Sequence, residues 1–464
     1  MALSVVALRI TSAAAEAVSE PRDSAVVSPP ILPSIVLITV DTLRADRLSI
    51  YGNAAPTSPN IDALLSQGAR FNAARTPEPL TTPACASMLT SLHPHEHGSS
   101  RNGIPIREGL RSLPKMLLRL GYVTAAFVSN WTLTDKQSGL AEHFDVYEEV
   151  LTKKRWLFWF GEADAEDVRV RTIDWLENDG VYPGQPLFLW VHFVDPHAPY
   201  KFHEEYAGRL GVPTDGSASA TQQYDTEIAH VDQQIGLLLA SLANYLDLDD
   251  TLLVFASDHG EGLGEHGYEG HGRHLYEEEL RVPLGLAWRD RIPRAVFRAP
   301  ATLLDVAPTL MGLLGAPIPP EWQGYDWSAS LLSGEDGPMD RVTYHQAHKG
   351  AVKGGTRKAD VAARKRLNGL LSLGIVDGRD KQVLDLDEAR LQRFVLPEVR
   401  DFGALGYAGS ERDPDTADAA APAPGEMEAW KTLVEEDLTE RDRSPPPTLT
   451  EEAIEMLRSL GYTN

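Results

Sequence analysis

Three apolar runs rich in β-branched residues are each followed at once by an acidic side chain, and that pattern narrows the architectures open to the chain. Ile35-Val-Leu-Ile-Thr-Val40 runs into Asp41, Leu187-Phe-Leu-Trp-Val-His-Phe-Val194 into Asp195, and Thr251-Leu-Leu-Val-Phe-Ala256 into Ser257-Asp258-His259. Runs that are apolar on both sides of the pleat belong to strands buried on both faces. Segments of helical spacing alternate with them: Leu113 to Leu120, stopped by Gly121 and followed by a strand at Val123 to Val128, then Val168 to Leu176, Tyr224 to Leu242 and Leu303 to Leu314. The alternation predicts an α/β fold, a mostly parallel central sheet with helices on both faces. Ligands of such sheets bind beyond the carboxyl ends of the strands, which places Asp41, Asp195 and Asp258 on one edge.

A length of 464 residues is enough for one large α/β domain with attachments at roughly 100–200 residues per domain. The expected division is a catalytic domain at 34–325, a small C-terminal subdomain at 326–400 and an acidic, Ala/Pro-rich tail at 401–464. The subdomain holds the basic stretch Lys349 to Arg366 and Leu384-Asp-Leu-Asp387, and the tail ends in a helix opened by Thr448 and Glu451. Residues 1–33 read as a disordered arm or a weak export segment: Ala2 to Leu8 is apolar, but no Lys or Arg precedes it and Arg9 ends it. No apolar run approaches the ~18 residues of a membrane span. Against 67 acidic side chains stand 43 basic ones, a net charge of −24, which disfavours binding to nucleic-acid backbones or anionic membranes. A small anionic substrate would then need a local positive centre, such as a metal. Cys85, the single cysteine, excludes an intrachain disulfide and a cysteine-built zinc knuckle.

Two stretches carry candidate chemistry. In Pro79-Leu-Thr-Thr-Pro-Ala-Cys-Ala-Ser-Met-Leu-Thr-Ser-Leu92, hydroxyls precede a helical pattern that opens near Pro83. A threonine there is either a plain N-cap or a nucleophile whose oxyanion the helix-start amides would stabilise. The second role requires a metal or a base, because a threonine hydroxyl does not ionise near neutrality. The stretch from Asp258 to Gly272, Asp-His-Gly-Glu-Gly-Leu-Gly-Glu-His-Gly-Tyr-Glu-Gly-His-Gly, packs carboxylates and imidazoles directly after a strand. These are the donors of zinc or manganese; a polar glycine-rich loop is the plain alternative.

Val36 to Tyr51, Ser58-Pro-Asn-Ile-Asp-Ala-Leu64, Leu92-His-Pro-His-Glu-His-Gly98, Phe193-Val-Asp-Pro-His-Ala-Pro-Tyr200, the Asp258 loop and Leu275-Tyr-Glu-Glu-Glu-Leu-Arg-Val-Pro283 together resemble the sulfatase branch of the alkaline phosphatase superfamily. The resemblance runs from about residue 34 to 315. It implies that Asp41, Asp258 and His259 hold the metal that touches the nucleophile, and that Thr81 is that nucleophile. Asn102 resembles the asparagine of the nucleotide pyrophosphatase/phosphodiesterase branch, whose amide holds a non-bridging oxygen. Asp195, His197 and His271 fall where a second metal or the substrate is contacted, with His266 competing for the place of His271. One or two divalent ions and export to the periplasm or cell exterior are further implications.

Departures from the family pattern shape the expected chemistry. Formylglycine sulfatases carry cysteine or serine two residues before the motif proline and arginine two after it; Thr81 and Cys85 stand there. Threonine cannot be oxidised to the aldehyde, because its β-carbon already bears a methyl. Val40 replaces the first of the paired aspartates that bind calcium, and His259 stands where asparagine is common, shifting the expected ion from calcium toward zinc or manganese. Val128-Ser-Asn-Trp131 replaces a lysine-bearing motif. The expectation is a metal-dependent hydrolase of phosphate esters, with sulfate and phosphonate esters as further substrates. It would work through a covalent Thr81 intermediate, with Asn102 and the amides after Thr81 stabilising the equatorial oxygens. Transfer to a sugar or lipid hydroxyl would share that intermediate, and a catalytically silent binding protein is the alternative of another class. Arg44 and Arg47 read as anion guides or salt-bridged residues, and Lys153-Lys-Arg-Trp-Leu-Phe-Trp-Phe160 as core, lid or membrane-facing lip.

Overall fold

The computed structural model describes residues 32–153, 160–180, 184–348, 369–397, 415–416 and 425–441. The N-terminal arm, the basic stretch at 349–366, most of the aromatic run at 153–160 and the terminal helix expected near 448–461 lie outside the described residues.

Eight strands form the main sheet: β1 (Ser34–Val40), β2 (Ala69–Phe71), β3 (Val123–Val128), β4 (Val146–Glu149), β5 (Leu187–Phe193), β6 (Thr251–Ser257), β7 (Leu284–Ala287) and β8 (Ala295–Phe297). Their spatial order is β8-β2-β7-β6-β1-β5-β3-β4. β1 lies parallel between β5 and β6, with Val40 opposite both Phe193 and Ser257, so the residues that follow all three strands emerge side by side. β7 alone runs against the others, pairing antiparallel with β2 and β6. A Cβ at its Gly285 would stand 2.4 Å from a Leu65 methyl, so glycine there lets a helix approach the sheet.

Helices cover both faces, as the alternation predicts. Val36, Ile38 and Val40 join one core with Ile61 and Leu64 of α1 (Pro59–Leu65), Trp175 of α4 (Ala165–Asn178) and Tyr224, Ile228 and Ile235 of α5 (Ala220–Leu242). Ile35 and Leu37, on the opposite side of the pleat, are equally buried. On that side α3 (Leu113–Arg119) packs on β3, and α2 (Thr81–Thr90) packs on α3 and on α6 (Val306–Leu313). Each fully buried aliphatic side chain contributes about 1.5–3 kcal/mol.

A second, antiparallel sheet follows: β9 (Val342–His348), β10 (Leu370–Asp377), β11 (Asp380–Asp385) and β12 (Arg390–Val395). Residues assigned from sequence to an acidic tail supply its cover, α7 (Gly425–Arg441). Met427, Trp430, Val434 and Leu438, spaced three or four apart, pack on Leu370, Leu373, Ile375, Leu384 and Leu391.

A buried ion cluster ties this sheet to segments that flank the main one. Lys381 Nζ of β11 donates to Glu277 Oε1 (3.1 Å), and Arg75 donates to both Glu277 oxygens (3.0 Å). Burial opposes the ionised form of Glu277, but the two cations outweigh it and hold its carboxyl well below the usual range. Glu277→Gln would remove the negative charge that faces two buried cations, and we expect a loss of about 3–5 kcal/mol at neutral pH. Because the folded-state pKa is depressed, this stabilisation is present above the unfolded carboxylate pKa of about 4.3 and is lost as pH falls below it. Urea midpoints of the two proteins should therefore converge between pH 7 and acid.

Candidate active site

Asp41 follows β1, Asp258 and His259 follow β6, His192 lies near the end of β5, and Asn130 follows β3. All five are buried. Asp258 Oδ1 accepts the backbone N–H of Thr42 (3.2 Å) and of His259 (2.8 Å), which fixes the carboxylate and turns Oδ2 inward. Asn130 Nδ2 donates to Asp41 Oδ2, and His192 Nε2 faces the same oxygen at 3.8 Å. Trp190 Nε1 donates to Thr39 Oγ1 (2.8 Å), which is also hydrogen-bonded to His192 Nδ1 (2.8 Å) and so holds the ring in place.

The other oxygen of each aspartate, Asp41 Oδ1 and Asp258 Oδ2, has no hydrogen-bond partner among the described residues. His259 Nε2 lies 3.5 Å from the first and 3.6 Å from the second. Its Nδ1 donates to the Gly260 carbonyl (2.8 Å), so Nε2 carries a lone pair, and burial pushes the ring down to about 3, keeping it neutral. Three electron-pair donors thus face one another in a dry interior, a repulsive arrangement unless a cation or a proton lies among them. Burial raises the Asp258 carboxyl well above its ordinary range, with the charge of Asp41 adding to it. Asp41 is held low, the surrounding His192, His197 and His259 rings outweighing its burial. Asp41, His192 and Asp258 also form a group whose possible ligand atoms lie within 4.8 Å of one another. The donor set fits a divalent cation of the zinc or manganese kind.

Thr81 opens α2 and is fully buried, two residues earlier than the expected helix start. Leu80, not Thr81, occupies the N-cap position, and Thr81 Oγ1 lies 3.4 Å from His259 Nε2. The N-cap reading of this threonine is thereby corrected. The expected contribution of the following amides is corrected as well. The Thr82 N–H donates to Asn102 Oδ1 (2.9 Å), Pro83 has no N–H, and the Ala84 N–H donates to Leu80 O (2.9 Å). What remains is Asn102 Nδ2, buried and without a partner among the described residues. The Thr82 bond orients it. Cys85 is buried and its thiol is pushed up by burial, which removes it as a competing nucleophile.

His197 and His271 belong to this cluster: ring centroids lie 5.2 Å apart, and His271 is 4.5 Å from His259. His271 Nδ1 pairs with Glu261 Oε1 (3.1 Å), and burial lifts Glu261 to about 7. His266 is stacked on Tyr276 at 3.9 Å instead, so the place contested between the two histidines goes to His271. Asp195 also follows its strand into the buried interior: burial, followed by the charge of Glu227 of α5, pushes its carboxyl well up, and its Oδ2 has no hydrogen-bond partner among the described residues. Arg44 is bound to Asp46 and Glu265 (2.9 Å each) and Arg47 to Asp225; both are neutralised by partners. Sequence reasoning missed His192, Asn130 and Glu261. The signal for His192 was an imidazole inside an apolar strand, opposite Thr39.

A sheet covered on both faces, with carboxylates and imidazoles converging at its carboxyl edge, defines the alkaline phosphatase-like α/β class. Residues 33–316 match the sulfatase family model, and the chain belongs to the sulfatase family. Enzymes of this family bind a divalent metal. The chain is 24% identical over 374 residues to an arylsulfatase of Clostridium perfringens, covering 63% of this chain and 77% of that protein. It is 27% identical over 348 residues to the choline-sulfatase of Rhizobium meliloti, covering 61% and 68%. Among solved structures, one in complex with its substrate D-glucosamine-2-N,6-O-disulfate superposes with a TM-score of 0.66 at 19% identity, covering 90% of this chain and all of that one. The phosphonate monoester hydrolase of Agrobacterium radiobacter gives 0.63 at 21% identity, covering 90% and 98%.

Proposed function

We propose that the chain is a metal-dependent ester hydrolase that forms a covalent intermediate on Thr81 without formylglycine, with phosphate esters as the leading substrates. The observation that carries this reading is the Thr81 hydroxyl, buried against the lone pair of His259 beside two unsatisfied carboxylate oxygens. Asp41, Asp258, His259 and Thr81 would hold the cation. Bound there, a divalent ion supplies Lewis acidity that lowers the pKa of hydroxyl and water and offsets substrate charge. Thr81 Oγ1 attacks the phosphorus, the ester oxygen departs, and water then attacks the phospho-threonine to return the hydroxyl. Asn102 Nδ2 donates to a non-bridging oxygen in both steps. His197 and His271 flank the acceptor and bind substrate oxygens or a second ion. Sulfate esters are the competing substrates, favoured by the sulfatase relatives; both chemistries need the same attack at a tetrahedral centre.

Hydrolysis of matched aryl phosphate, phosphodiester, phosphonate and sulfate substrates, after chelation and restoration of zinc, manganese or calcium, tests the reading. The proposal expects metal-dependent cleavage led by a phosphate ester. A sulfate preference above a hundredfold would move the substrate assignment, and no cleavage with any ion would favour a silent binding protein.

Asn102→Asp keeps the acceptor for the Thr82 N–H and replaces the donor by an anionic oxygen. We expect kcat to fall about 10²–10³-fold with a smaller change in KM, as for other oxyanion donors. Steady-state kinetics checks this.

A further inference from the structure

We propose that His203, Glu205 and His230 form a second cation site, with Glu227 as a fourth donor, separate from the cluster around Thr81 and suited to zinc. Possible ligand atoms of the first three lie within 4.8 Å of one another. His203 and His230 stack in parallel, with centroids 4.3 Å apart and planes at 9°. His230 is only 8% exposed, yet neither of its ring nitrogens has a hydrogen-bond partner among the described residues, and His203 Nε2 has none either. A buried imidazole with both nitrogens unsatisfied is unfavourable unless something binds them. Glu227 and His230 stand three apart on α5 and so share a face, a Glu-x-x-His pattern used for metals in helical proteins. Glu227 Oε2 lies 3.7 Å from His203 Nε2.

The surroundings favour a cation. Burial, then the His203 ring, lowers the His230 pKa, while the negative charges of Asp164, Glu227 and Glu205 oppose that shift. Two imidazoles and a carboxylate are the donor set of open zinc sites, in which water completes the coordination. Zinc–nitrogen bonds of 2.0–2.1 Å would bring donors to about 3.4 Å from one another, so the group must contract by up to about 1.4 Å and one ring must turn out of the parallel stack, because each nitrogen lone pair lies in its ring plane. Glu205, with its side chain 59% exposed, is free to swing inward. His203 precedes the short helix Glu204–Leu210, and its N–H donates to Thr226 Oγ1 of α5 (3.1 Å), which seats it beside His230.

Zinc content of the full chain, loaded with zinc ion and freed of excess by gel filtration, tests the proposal. We expect His230→Gln to lose one equivalent that Asp258→Asn retains, while Asp258→Asn loses a different one. If the Thr81 site holds no metal, the wild-type chain carries one equivalent, and His230→Gln still loses it, which separates this proposal from the preceding one. Glu205→Gln, an exposed change that spares the core, should weaken the same equivalent at least tenfold in competition with a chromophoric chelator. It decides the matter if His230→Gln does not fold. Unchanged zinc stoichiometry and affinity in the folded variants would overturn the proposal.

Discussion

Thr81→Ala is expected to lower kcat/KM by about four orders of magnitude or more while leaving the fold intact. Loss of a nucleophile removes the route through the covalent intermediate, and triad enzymes stripped of theirs lose comparable factors; each factor of ten corresponds to about 1.4 kcal/mol of barrier. The structural cost should be small. Among the described residues Thr81 Oγ1 makes one hydrogen bond, the 3.4 Å contact to His259, and its loss costs on the order of 1 kcal/mol. Thr81→Ser, which keeps the hydroxyl, should retain measurable turnover. Circular dichroism and thermal unfolding of both variants, alongside kinetics, separate a chemical loss from unfolding.

Asp258→Asn should abolish metal-dependent turnover by at least about a thousandfold, again with the fold retained. Asparagine keeps an oxygen for the N–H groups of Thr42 and His259, which Asp258 Oδ1 now accepts, but replaces the inward oxygen by an amide that cannot bind a cation. Removing outer partners of metal ligands already costs 10–100-fold in affinity or activity, and removing a ligand should cost more. The second signature is thermodynamic. A cation at a hundred times its dissociation constant stabilises the folded protein by about 2.7 kcal/mol. The wild-type melting temperature should therefore fall further on chelation than that of Asp258→Asn, which keeps at most the contribution of the His203–His230 site. An undiminished chelation response would remove Asp258 from the ligand set.

The alternating apolar runs made the centre of the sheet legible. β1, β5 and β6 are buried on both faces, so their composition alone marks them as interior strands. β2, β7 and β8 were not legible, because three or four residues are too few to show a period. Charges along α7 obscured its four-residue stripe, which becomes meaningful only beside the sheet it covers.

At the site, the residues that sit at strand ends or at a helix start were foreseeable, because backbone topology alone delivers them to one edge. Asp41, Asp258, His259 and Thr81 are of that kind. Residues acting through others were not. His192 reads as one polar position in a hydrophobic strand, and Asn130 as a missing lysine, until their contacts with Asp41 are seen. Asp195 follows a strand like the others, but the neighbouring Glu227 that pushes its carboxyl up comes from α5 and was not foreseeable. The helix-start amides fail locally, since Pro83 supplies no donor and Asn102 takes the one from Thr82.

The central claim is that the transferred group passes through Thr81 on its way to water. An ester made chiral by isotopic labelling at the transferred phosphorus or sulfur, hydrolysed in labelled water, records the number of displacements directly. Two in-line displacements predict net retention of configuration. Net inversion would mean that water attacks the substrate itself, and Thr81 would not be the nucleophile.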